Sequence, residues 1–527
     1  MMKYQKKSNF LFYFSLLAAA ILFLKNAWIS DDAYIVFRGI EQLFAGNGPN
    51  WNPHERVQTF TSPLWFWVLA CSRIFSSNLY LTTMTTSLIL WTGTLIILRK
   101  TVKNDYIFAF LILVFAASRG FFDYTSSGLE NGLAYFFISL YLYLNEHIFP
   151  SQSGQNQQFN QSVVRKLVVL NLLVFGFIIL IRHDLVVLLL PMTLYTIWKS
   201  FHFFTKSQWI KIILLSLSPF IVWSLFSLIY YGFPFPNTAY AKISTGIDKF
   251  IVMKQGVKYF ISSLCFDTVT LFVIMAALVI CIKKGQKSRF RFWGYGIVLN
   301  LIYIIYVGGD FMQGRFLSFA FLISSLILAK RFSTVILPVY RGIIFAGLLL
   351  YLALYPHTPL FTPLEYQNYS SHLMVSDERG TYFKRTSLYA YFVRYHYSVV
   401  FPPHEWSYQG LAFKMQNKPV RVFGNVGFFG YWAGTEKIII DPLALADPFL
   451  ARLPVTGEWR VGHYLRELPA GYQKSVETGN NMISDPSLHI FYDKIKIVTT
   501  GTKLLTWQRI KTIFLFNIGV FDKYISS

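Results

Sequence analysis

Long apolar runs separated by short polar segments fill residues 1–355 of this sequence. Such runs predict membrane-spanning helices, because a helix satisfies its backbone hydrogen bonds internally and about 20 apolar residues cross the hydrocarbon core. The pattern therefore predicts an α-helical polytopic membrane domain. The eleven predicted spans are 8–27, 79–98, 105–118, 132–148, 167–181, 185–198, 211–231, 266–282, 293–307, 316–329 and 334–355.

The remaining segments predict a second domain and two surface helices. Residues 356–527 hold fewer apolar runs and more turn formers, which is typical of a soluble domain. Within it, 420–440 reads as strand, glycine-bearing turn, helix and strand, a small α/β arrangement. The run 61–76 carries Arg73 and predicts an interfacial helix, while 503–520 is apolar enough to lie on the membrane without crossing it. The polar run 151–162 predicts a flexible cytoplasmic loop.

Basic residues set the predicted orientation. Lys and Arg number 48 against 25 Asp and Glu, and they bunch between apolar runs, which indicates topology rather than nucleic-acid binding. Lys3, Lys6 and Lys7 place the N-terminus in the cytoplasm, and the first run reads as an uncleaved anchor. We therefore predict a transmembrane domain at 1–355 with a first outer loop at 28–78, and an extracytoplasmic domain at 356–527.

Composition narrows the class further. The sequence is 54% hydrophobic and 14% charged, which excludes an ordinary soluble enzyme. Its 3 cysteines support neither a disulfide framework nor a cysteine metal site. With the predicted topology, nearly all acids before residue 356 lie outside: Asp31, Asp32, Glu41, Glu55, Asp123, Glu130, Asp184, Asp248, Asp267 and Asp310.

The segment DDAYIVFR at 31–38 is the first candidate for chemistry. In the structural interpretation, Ser30 or Asp31 caps the helix that follows. In the functional interpretation, Asp31 and Asp32 supply a general base, since two adjacent carboxylates repel and one needs a proton, a cation or a donor. The same pair is a candidate ligand set for a divalent cation; no other cofactor is predicted.

Four further outer motifs carry polar residues between apolar runs. Each has a plain structural alternative, such as a helix cap, an interfacial anchor or a salt-bridged turn. Their shared side of the membrane favours one polar cavity. The motifs and their candidate substrate-binding residues are SSGLENGL (126–133) with Glu130, RHD with Arg182, His183 and Asp184, FPFPNTAYAK (233–242) with Asn237 and Lys242, and GGDFMQGRF (308–316) with Asp310 and Arg315.

Two motifs stand out in the C-terminal region. DPLALADPFLARLP (441–454) and GHY (462–464) are the polar landmarks, and His463 is either structural or substrate-binding. The glycines of GNVGFFG resemble a dinucleotide loop only superficially, and we reject that interpretation.

The sequence resembles the terminal β-(1→2)-arabinofuranosyltransferases (AftB-like) and their wider GT-C glycosyltransferase relatives. The motifs that carry the resemblance are DDAYIVFR, WNPHERVQTFTSPLW (51–65), GLE (128–130), PNTAYAK (236–242), GGDFMQGRF, DPLALADP and GHY. They occur in collinear order over most of the chain.

The resemblance implies a GT-C fold: a membrane helical bundle, a long first outer loop with interfacial helices, and an extracytoplasmic C-terminal domain. Together with the eleven spans and the α/β segment predicted above, it places the chain in the bacterial inner membrane. It further implies an inverting enzyme that moves a sugar from a polyprenyl-phosphate donor to a cell-envelope glycan or glycolipid. Asp31 or Asp32 would then be the base. Membrane lipids would surround the protein, and no nucleic acid would bind it.

The reaction chemistry agrees with these residues. An acceptor hydroxyl must lose a proton, whereas a phosphate leaves without a general acid, in contrast to the paired carboxyl groups of a glycosidase. The basic side chains on the predicted outer side that could stabilise the departing phosphate are Arg182, Lys242 and Arg315. The alternative function is a transporter or flippase of lipid-linked glycans; a non-catalytic assembly partner is a third. The lack of an internal repeat in the sequence favours the transferase.

Overall fold

The computed structural model describes residues 2–149, 161–283, 288–335, 338–355 and 357–525, and these are mostly α-helical. In chain order the helices are α1 (Met2–Asn26), α2 (Asp31–Phe44), α3 (Pro63–Phe75), α4 (Leu79–Val102), α5 (Asp105–Ala117), α6 (Arg119–Phe122), α7 (Asn131–Ile148), α8 (Gln161–Ile181), α9 (Leu185–Ser200), α10 (Lys206–Tyr230), α11 (Asn237–Ile243), α12 (Lys249–Phe266), α13 (Thr268–Ile282), α14 (Ser288–Tyr306), α15 (Leu317–Val335), α16 (Pro338–Leu354), α17 (Glu378–Thr386), α18 (Glu405–Met415), α19 (Val426–Ala433), α20 (Tyr472–Thr478), α21 (Pro486–Thr499) and α22 (Trp507–Asn517). The strands are β1 (Ser371–His372), β2 (Val375–Ser376), β3 (Val420–Val422), β4 (Ile438–Ile440), β5 (Trp459–Arg460) and β6 (His463–Tyr464).

A helix occupies each of the eleven segments predicted to span the membrane. Among the described residues, 4 helices are long and apolar enough to cross a membrane, or up to 7 if three pairs of helices bent at a short break each count as one span. The chain is therefore a helical membrane protein, while the number of eleven spans stays a prediction.

Two smaller predictions have a structural counterpart, and a third cannot be compared. The run 61–76 contains α3, which begins with Pro63 directly after Ser62, whose hydroxyl accepts a hydrogen bond from the amide of Trp65. The run 503–520 contains α22. The predicted loop at 151–162 falls almost wholly outside the described residues.

The chain forms two compact units. Unit 1 comprises Met1–Ile29, Tyr80–Phe220 and Phe250–Tyr389, and unit 2 comprises Ser30–Leu79, Ile221–Lys249 and Ala390–Ser527. This division differs from the boundary predicted at 355/356, since 357–389 pack within unit 1 and 30–79 within unit 2. The predicted boundary separates the membrane-spanning residues from the extracytoplasmic ones. That separation stays a prediction.

Glycines let the helices of unit 1 pack closely. A Cβ at Gly176 of α8 would lie 1.7 Å from the carbonyl oxygen of Ser216 of α10, and one at Gly296 of α14 would lie 2.1 Å from that of Leu188 of α9. Small residues at such crossings allow backbones to approach, which is how apolar helices associate where water exclusion contributes little.

Unit 2 contains the predicted strand–turn–helix–strand. β3 and β4 pair in parallel, with Val420 opposite Ile438, and α19 connects them. This confirms the α/β interpretation of 420–440. One face of α19 is apolar and packs into a core with α2, α18 and β4: Ile35, Trp51, Phe413, Val426, Phe429, Ala433, Ile439 and Ala446.

Candidate active site

Within unit 2, Asp31 lies at the N-terminal end of two helices. It is in the first turn of α2, and its Oδ1 accepts a hydrogen bond of 2.7 Å from the backbone amide of Phe428 in the first turn of α19. Ser30 holds the N-cap position of α2, but its side chain makes no capping hydrogen bond there. The structural interpretation of the motif therefore needs correction: the side chain of Asp31 caps α19, not α2.

Arg38, in the middle of α2, binds the C-terminal end of α19. Its guanidinium donates to the carbonyl oxygens of Gly434 at 2.6 Å, Lys437 at 2.7 Å and Trp51 at 3.0 Å, and also to that of Gly430. An anion therefore lies at the N-terminus of α19 and a cation at its C-terminus, both favourable for the helix dipole. The spacing of Asp31 and Arg38 along α2 thus matches the length of α19.

The environment of Asp31 suits a base near neutral pH. Burial raises the pKa of Asp31 to about 7, and the neighbouring charge of Asp32 adds to this, while the hydrogen bond from Phe428 opposes it. Asp31 as a residue is 8% exposed, whereas Asp32 is more exposed. A carboxyl group with a pKa close to ambient pH is well matched to proton abstraction.

The described residues contain no group of three or more His, Cys, Asp or Glu side chains that could hold a metal ion. Asp31 and Asp32 would supply a divalent cation with two carboxylate groups from the protein. The cation predicted beside them stays a prediction.

Within unit 1, three of the predicted outer loops meet at Glu130. Arg182 donates to Oε1 of Glu130 at 2.6 Å, and Arg315 donates to the same oxygen at 2.9 Å. Both guanidiniums are largely buried, with 10% and 12% of their side chains exposed. Three of the five predicted motifs, those of Glu130, RHD and GGDFMQGRF, thus meet within unit 1, while one cavity lined by all five stays a prediction.

Two more carboxylates complete this cluster, which we call the Glu130 cluster: Glu130, Arg182, Asp184, Asp310 and Arg315. Arg182 forms a two-bond pair with Asp184, at 2.9 and 2.8 Å, whereas Asp310 lies 3.6 Å from Arg315. Burial would raise the pKa of Glu130, but the charges of Arg315 and Arg182 outweigh it and hold the pKa at about 2. Arg315 is thus the less tightly paired of the two arginines.

Glycines shape the loop that carries Asp310 and Arg315. Gly309 and Gly314 have φ values of 76° and 72°, a backbone conformation that residues with a Cβ rarely adopt. A Cβ at Gly314 would lie 2.5 Å from the Cα of Gly120, and one at Gly309 would lie 2.5 Å from the Cβ of Tyr259. The predicted tight bend is confirmed, and close backbone approach is its reason.

His183 lies between Arg182 and Asp184 in the loop that joins α8 to α9. Its ring makes an edge-on contact with Phe220, and burial lowers its pKa, so the imidazole is neutral at neutral pH. The predicted substrate contact of His183 stays a prediction.

The remaining candidates surround the DPLALADP loop in unit 2. The amide nitrogen of Asn237 donates to the carbonyl oxygens of Ala444, Leu445 and Asp447 at 3.0–3.2 Å, so this side chain holds the loop. Asp447 in turn accepts the hydroxyl of Tyr472 at 2.6 Å. Substrate binding by Asn237 stays a prediction alongside this structural role.

Lys242 and His463 belong to the same region of unit 2. Lys242 is exposed, and the imidazole Nε2 of His463 lies 3.2 Å from a guanidinium nitrogen of Arg460. Burial, together with the charges of Arg460 and Lys242, lowers the pKa of His463 to about 3. His463 is therefore neutral and cannot serve as a cation for a phosphate.

A second buried ionic network in unit 1 escaped the sequence analysis. Arg119 donates to both carboxylate oxygens of Asp377, at 2.8 and 2.9 Å, and Arg379 donates to Asp123 at 3.1 Å. These four side chains are between 1% and 5% exposed. Only Asp123 was noted, as an outer acid, because nothing local in the sequence links residues 258 positions apart.

The structure thus brings the predicted residues together in two sets. Glu130, Arg182, His183, Asp184, Asp310 and Arg315 gather in unit 1, and Asp31, Asp32, Asn237, Lys242 and His463 belong to unit 2.

Two curated proteins are similar to this chain. The terminal β-(1→2)-arabinofuranosyltransferase of Corynebacterium glutamicum is 28% identical over 341 residues, which cover 55% of this chain and 46% of that protein. The terminal β-(1→2)-arabinofuranosyltransferase of Mycobacterium tuberculosis is 26% identical over 354 residues, covering 58% of this chain and 53% of that protein. No protein-family model matches the sequence. The resemblance found in the motifs is confirmed, and the chain spans about half the length of these relatives.

Proposed function

We propose that this protein is an inverting glycosyltransferase of the GT-C type that moves a sugar from a polyprenyl-phosphate donor to a cell-envelope glycan or glycolipid. The observation that carries the proposal is Asp31: a buried carboxyl group, held by the backbone of Phe428, in the motif through which the chain resembles arabinofuranosyltransferases. The reaction takes place on the outer face of the inner membrane. In the predicted topology the basic loops stay in the cytoplasm, so both sets of site residues lie on the outer side.

In the proposed reaction Asp31 is the base. Its Oδ1 is held by Phe428, and its second carboxylate oxygen takes the proton of the acceptor hydroxyl. The acceptor oxygen forms a bond to the anomeric carbon as the bond from that carbon to the phosphate oxygen breaks. The electron pair leaves with the phosphate, and attack from the opposite face inverts the anomeric centre.

The arginines of the Glu130 cluster divide two tasks. Arg315, with Asp310 at 3.6 Å, is the candidate phosphate-binding cation of unit 1. Arg182 is bound by Asp184 and Glu130 together and positions the cluster. Three carboxylates against two guanidiniums also provide acceptors for sugar hydroxyls.

Sugar transfer by the detergent-solubilised protein tests the proposal. Purified polyprenyl-phosphate pentose and hexose donors are supplied, and the product is followed with wild type, Asp31→Asn and Arg315→Gln. We expect Asp31→Asn to lose at least about 100-fold in rate, the lower end of what a general base contributes. Arg315→Gln tests the phosphate-binding role separately and should also lower the rate of transfer.

The matched control is Asp493→Asn, which removes an exposed carboxylate from α21 in the same unit. It should retain transfer. Unchanged activity in a folded Asp31→Asn protein would refute the proposed base, and no transfer from any donor would instead favour the transport of lipid-linked glycans.

A further inference from the structure

A groove runs along one edge of β3 in unit 2, and we call it the β3 groove. Its volume is about 800 Å³, which lies in the range of ligand-binding pockets. All of its lining residues belong to unit 2. The polar side chains come from the end of α18, the strand and α20: Gln416, Lys418, Arg421, Gln473 and Glu477.

The groove follows the edge of β3 and not one of its faces. Successive side chains of a strand point to opposite faces, so a cavity on one face would be lined by every second residue. Here the consecutive residues 418–422 all line it. The carbonyl oxygen of Pro419 and the amide of Phe423 bond to β4. Because residues of a parallel pair alternate, the backbone groups of Val420 and Val422 point toward the groove.

Two cations of the groove have no carboxylate partner. Among the described residues, Lys418 and Arg421 form no ion pair. The carboxylate in the lining, Glu477, accepts a hydrogen bond of 2.8 Å from the amide of Gln473, one turn earlier in α20. The groove therefore presents positive charge that an anionic ligand would neutralise.

Both cations are supported by their neighbours. The guanidinium of Arg421 lies 5.3 Å from the ring centroid of Phe429 and 5.7 Å from that of Phe423, and these two rings are stacked 3.9 Å apart. A guanidinium held against aromatic rings keeps its N–H groups for a ligand. Lys437 donates to the carbonyl oxygen of Lys418 at 2.9 Å and so holds the segment that precedes β3.

The lining suits a chain that is rich in hydroxyl groups and negatively charged. A hydroxyl both donates and accepts, so sugar hydroxyls match the N–H and C=O groups of the strand edge and the amides of Gln416 and Gln473. A carboxylate or phosphate on the sugar would bind Arg421 and Lys418. An added peptide strand would have only the 3 residues of β3 to pair with, which disfavours a peptide ligand.

The strand β3 also leads from the groove to the proposed base. It is 3 residues long, about 10 Å, and the chain passes from its carboxyl end into α19. The amide of Phe428 in the first turn of α19 holds Asp31. Ligands of open α/β sheets bind beyond the carboxyl ends of the strands. A glycan lying in the groove would thus extend its end toward Asp31.

We propose that the β3 groove binds an acidic glycan, the acceptor chain of the transfer reaction, through Arg421 and Lys418. Its negative charge is a uronic-acid carboxylate or a phosphodiester, since a guanidinium binds both oxyanions in the same way. That the glycan is the acceptor rests on the proposed function, whereas its binding needs neither a donor nor Asp31.

The test measures binding to the detergent-purified full-length protein without a donor. An oligogalacturonate, its methyl ester of the same length and a poly(glycerol phosphate) oligomer are titrated separately by isothermal calorimetry. We expect at least one acidic probe to bind about tenfold more tightly than the neutral ester, the effect of one hydrogen bond to a charged group. The tighter of the two acidic probes identifies the anion.

Three variants locate the binding. Arg421→Gln should weaken binding of the acidic probe about tenfold and leave that of the methyl ester unchanged, while Arg421→Lys should retain part of the affinity. Lys418→Gln, at an exposed position, removes the second cation without disturbing a buried contact. The matched control is Lys511→Gln, which removes an exposed cation from α22 of the same unit.

Equal binding of the acidic and neutral probes, or equal losses in Lys418→Gln and Lys511→Gln, would overturn the proposal. Equally tight binding of a glutamate oligomer would also overturn it, because the groove would then bind an acidic peptide. The absence of sugar transfer from any donor, with selective binding of the acidic glycan intact, would instead contradict the proposed function and not the glycan site.

Discussion

Gly427 lies directly against Asp31: a Cβ at position 427 would be 2.0 Å from the backbone oxygen of Asp31 and 2.6 Å from its Cγ. Only glycine therefore lets the first turns of α2 and α19 meet, and this contact lets the amide of Phe428 reach the Asp31 carboxylate.

The first prediction follows from this contact. Gly427→Ala should push α2 and α19 apart, lower the free energy of unfolding by about 1–3 kcal/mol through overpacking, and reduce sugar transfer more than stability alone explains. Thermal unfolding and initial rates measured on the same preparation check both effects.

Gly424→Ala is the matched control for this variant. A Cβ there would meet Leu443 and Pro442 at 3.6 Å, an ordinary contact, and α2 is not touched. If Gly424→Ala and Gly427→Ala lose the same activity, then close approach to Asp31 is not what matters at 427.

The second prediction concerns pH. Because burial raises the pKa of Asp31 to about 7, this proposed base would be protonated and inactive below that pH. We expect kcat/KM to rise about tenfold per pH unit below 7 and to level off above it. A pH–rate profile of the solubilised enzyme measures the midpoint.

Asp32→Asn shows which carboxyl group is being titrated. The charge of Asp32 contributes to the raised pKa of Asp31, so its removal should move the midpoint to lower pH while some transfer remains. A midpoint that does not move would contradict this electrostatic coupling, and complete loss of transfer would make Asp32 the base.

Sequence alone predicted the local features of this structure. The helices follow from apolar runs longer than any buried strand, and the bend at 308–316 follows from its glycines. The contact of Glu130 with Arg182 and Arg315 was predictable because short loops between packed helices have little freedom to separate.

Contacts between residues distant in sequence could not be predicted from the sequence alone. Phe428 lies 397 positions from Asp31, and it is a backbone amide that binds the carboxylate, so the identity of the residue gives no signal. The role of Arg38 was missed for the same reason, since its guanidinium binds four carbonyl groups. The ion pair between Arg119 and Asp377 joins two segments that the sequence predicts to lie in different domains, on either side of the boundary at 355/356.

The third prediction concerns Arg38 at the C-terminal end of α19. Arg38→Lys keeps the charge but loses the planar donors that reach Trp51, Gly434 and Lys437. We expect a loss of about 2–4 kcal/mol in unfolding free energy, from several charged hydrogen bonds left partly unmade. Arg421→Lys, at a partly exposed arginine of the same unit, should change thermal unfolding little. Equal effects would show that the carbonyl contacts of Arg38 add nothing.

The fourth prediction separates pairing from charge in the Glu130 cluster. Arg182→Gln would leave Asp184 and part of Glu130 buried without their cation, which should cost about 3–5 kcal/mol. Adding Asp184→Asn removes one of the unpaired charges, so the double variant should be more stable than the sum of the single effects predicts.

A double-mutant cycle of Arg182 and Asp184, read by thermal unfolding, should give a coupling of about 1–3 kcal/mol. The more exposed pair Arg73–Glu41, with side chains 21% and 27% exposed, is the comparison, and its coupling should stay below about 1 kcal/mol. Similar coupling in both pairs would mean that burial of Arg182 does not strengthen its ion pair, and Arg182 would then lose its proposed role in positioning the cluster.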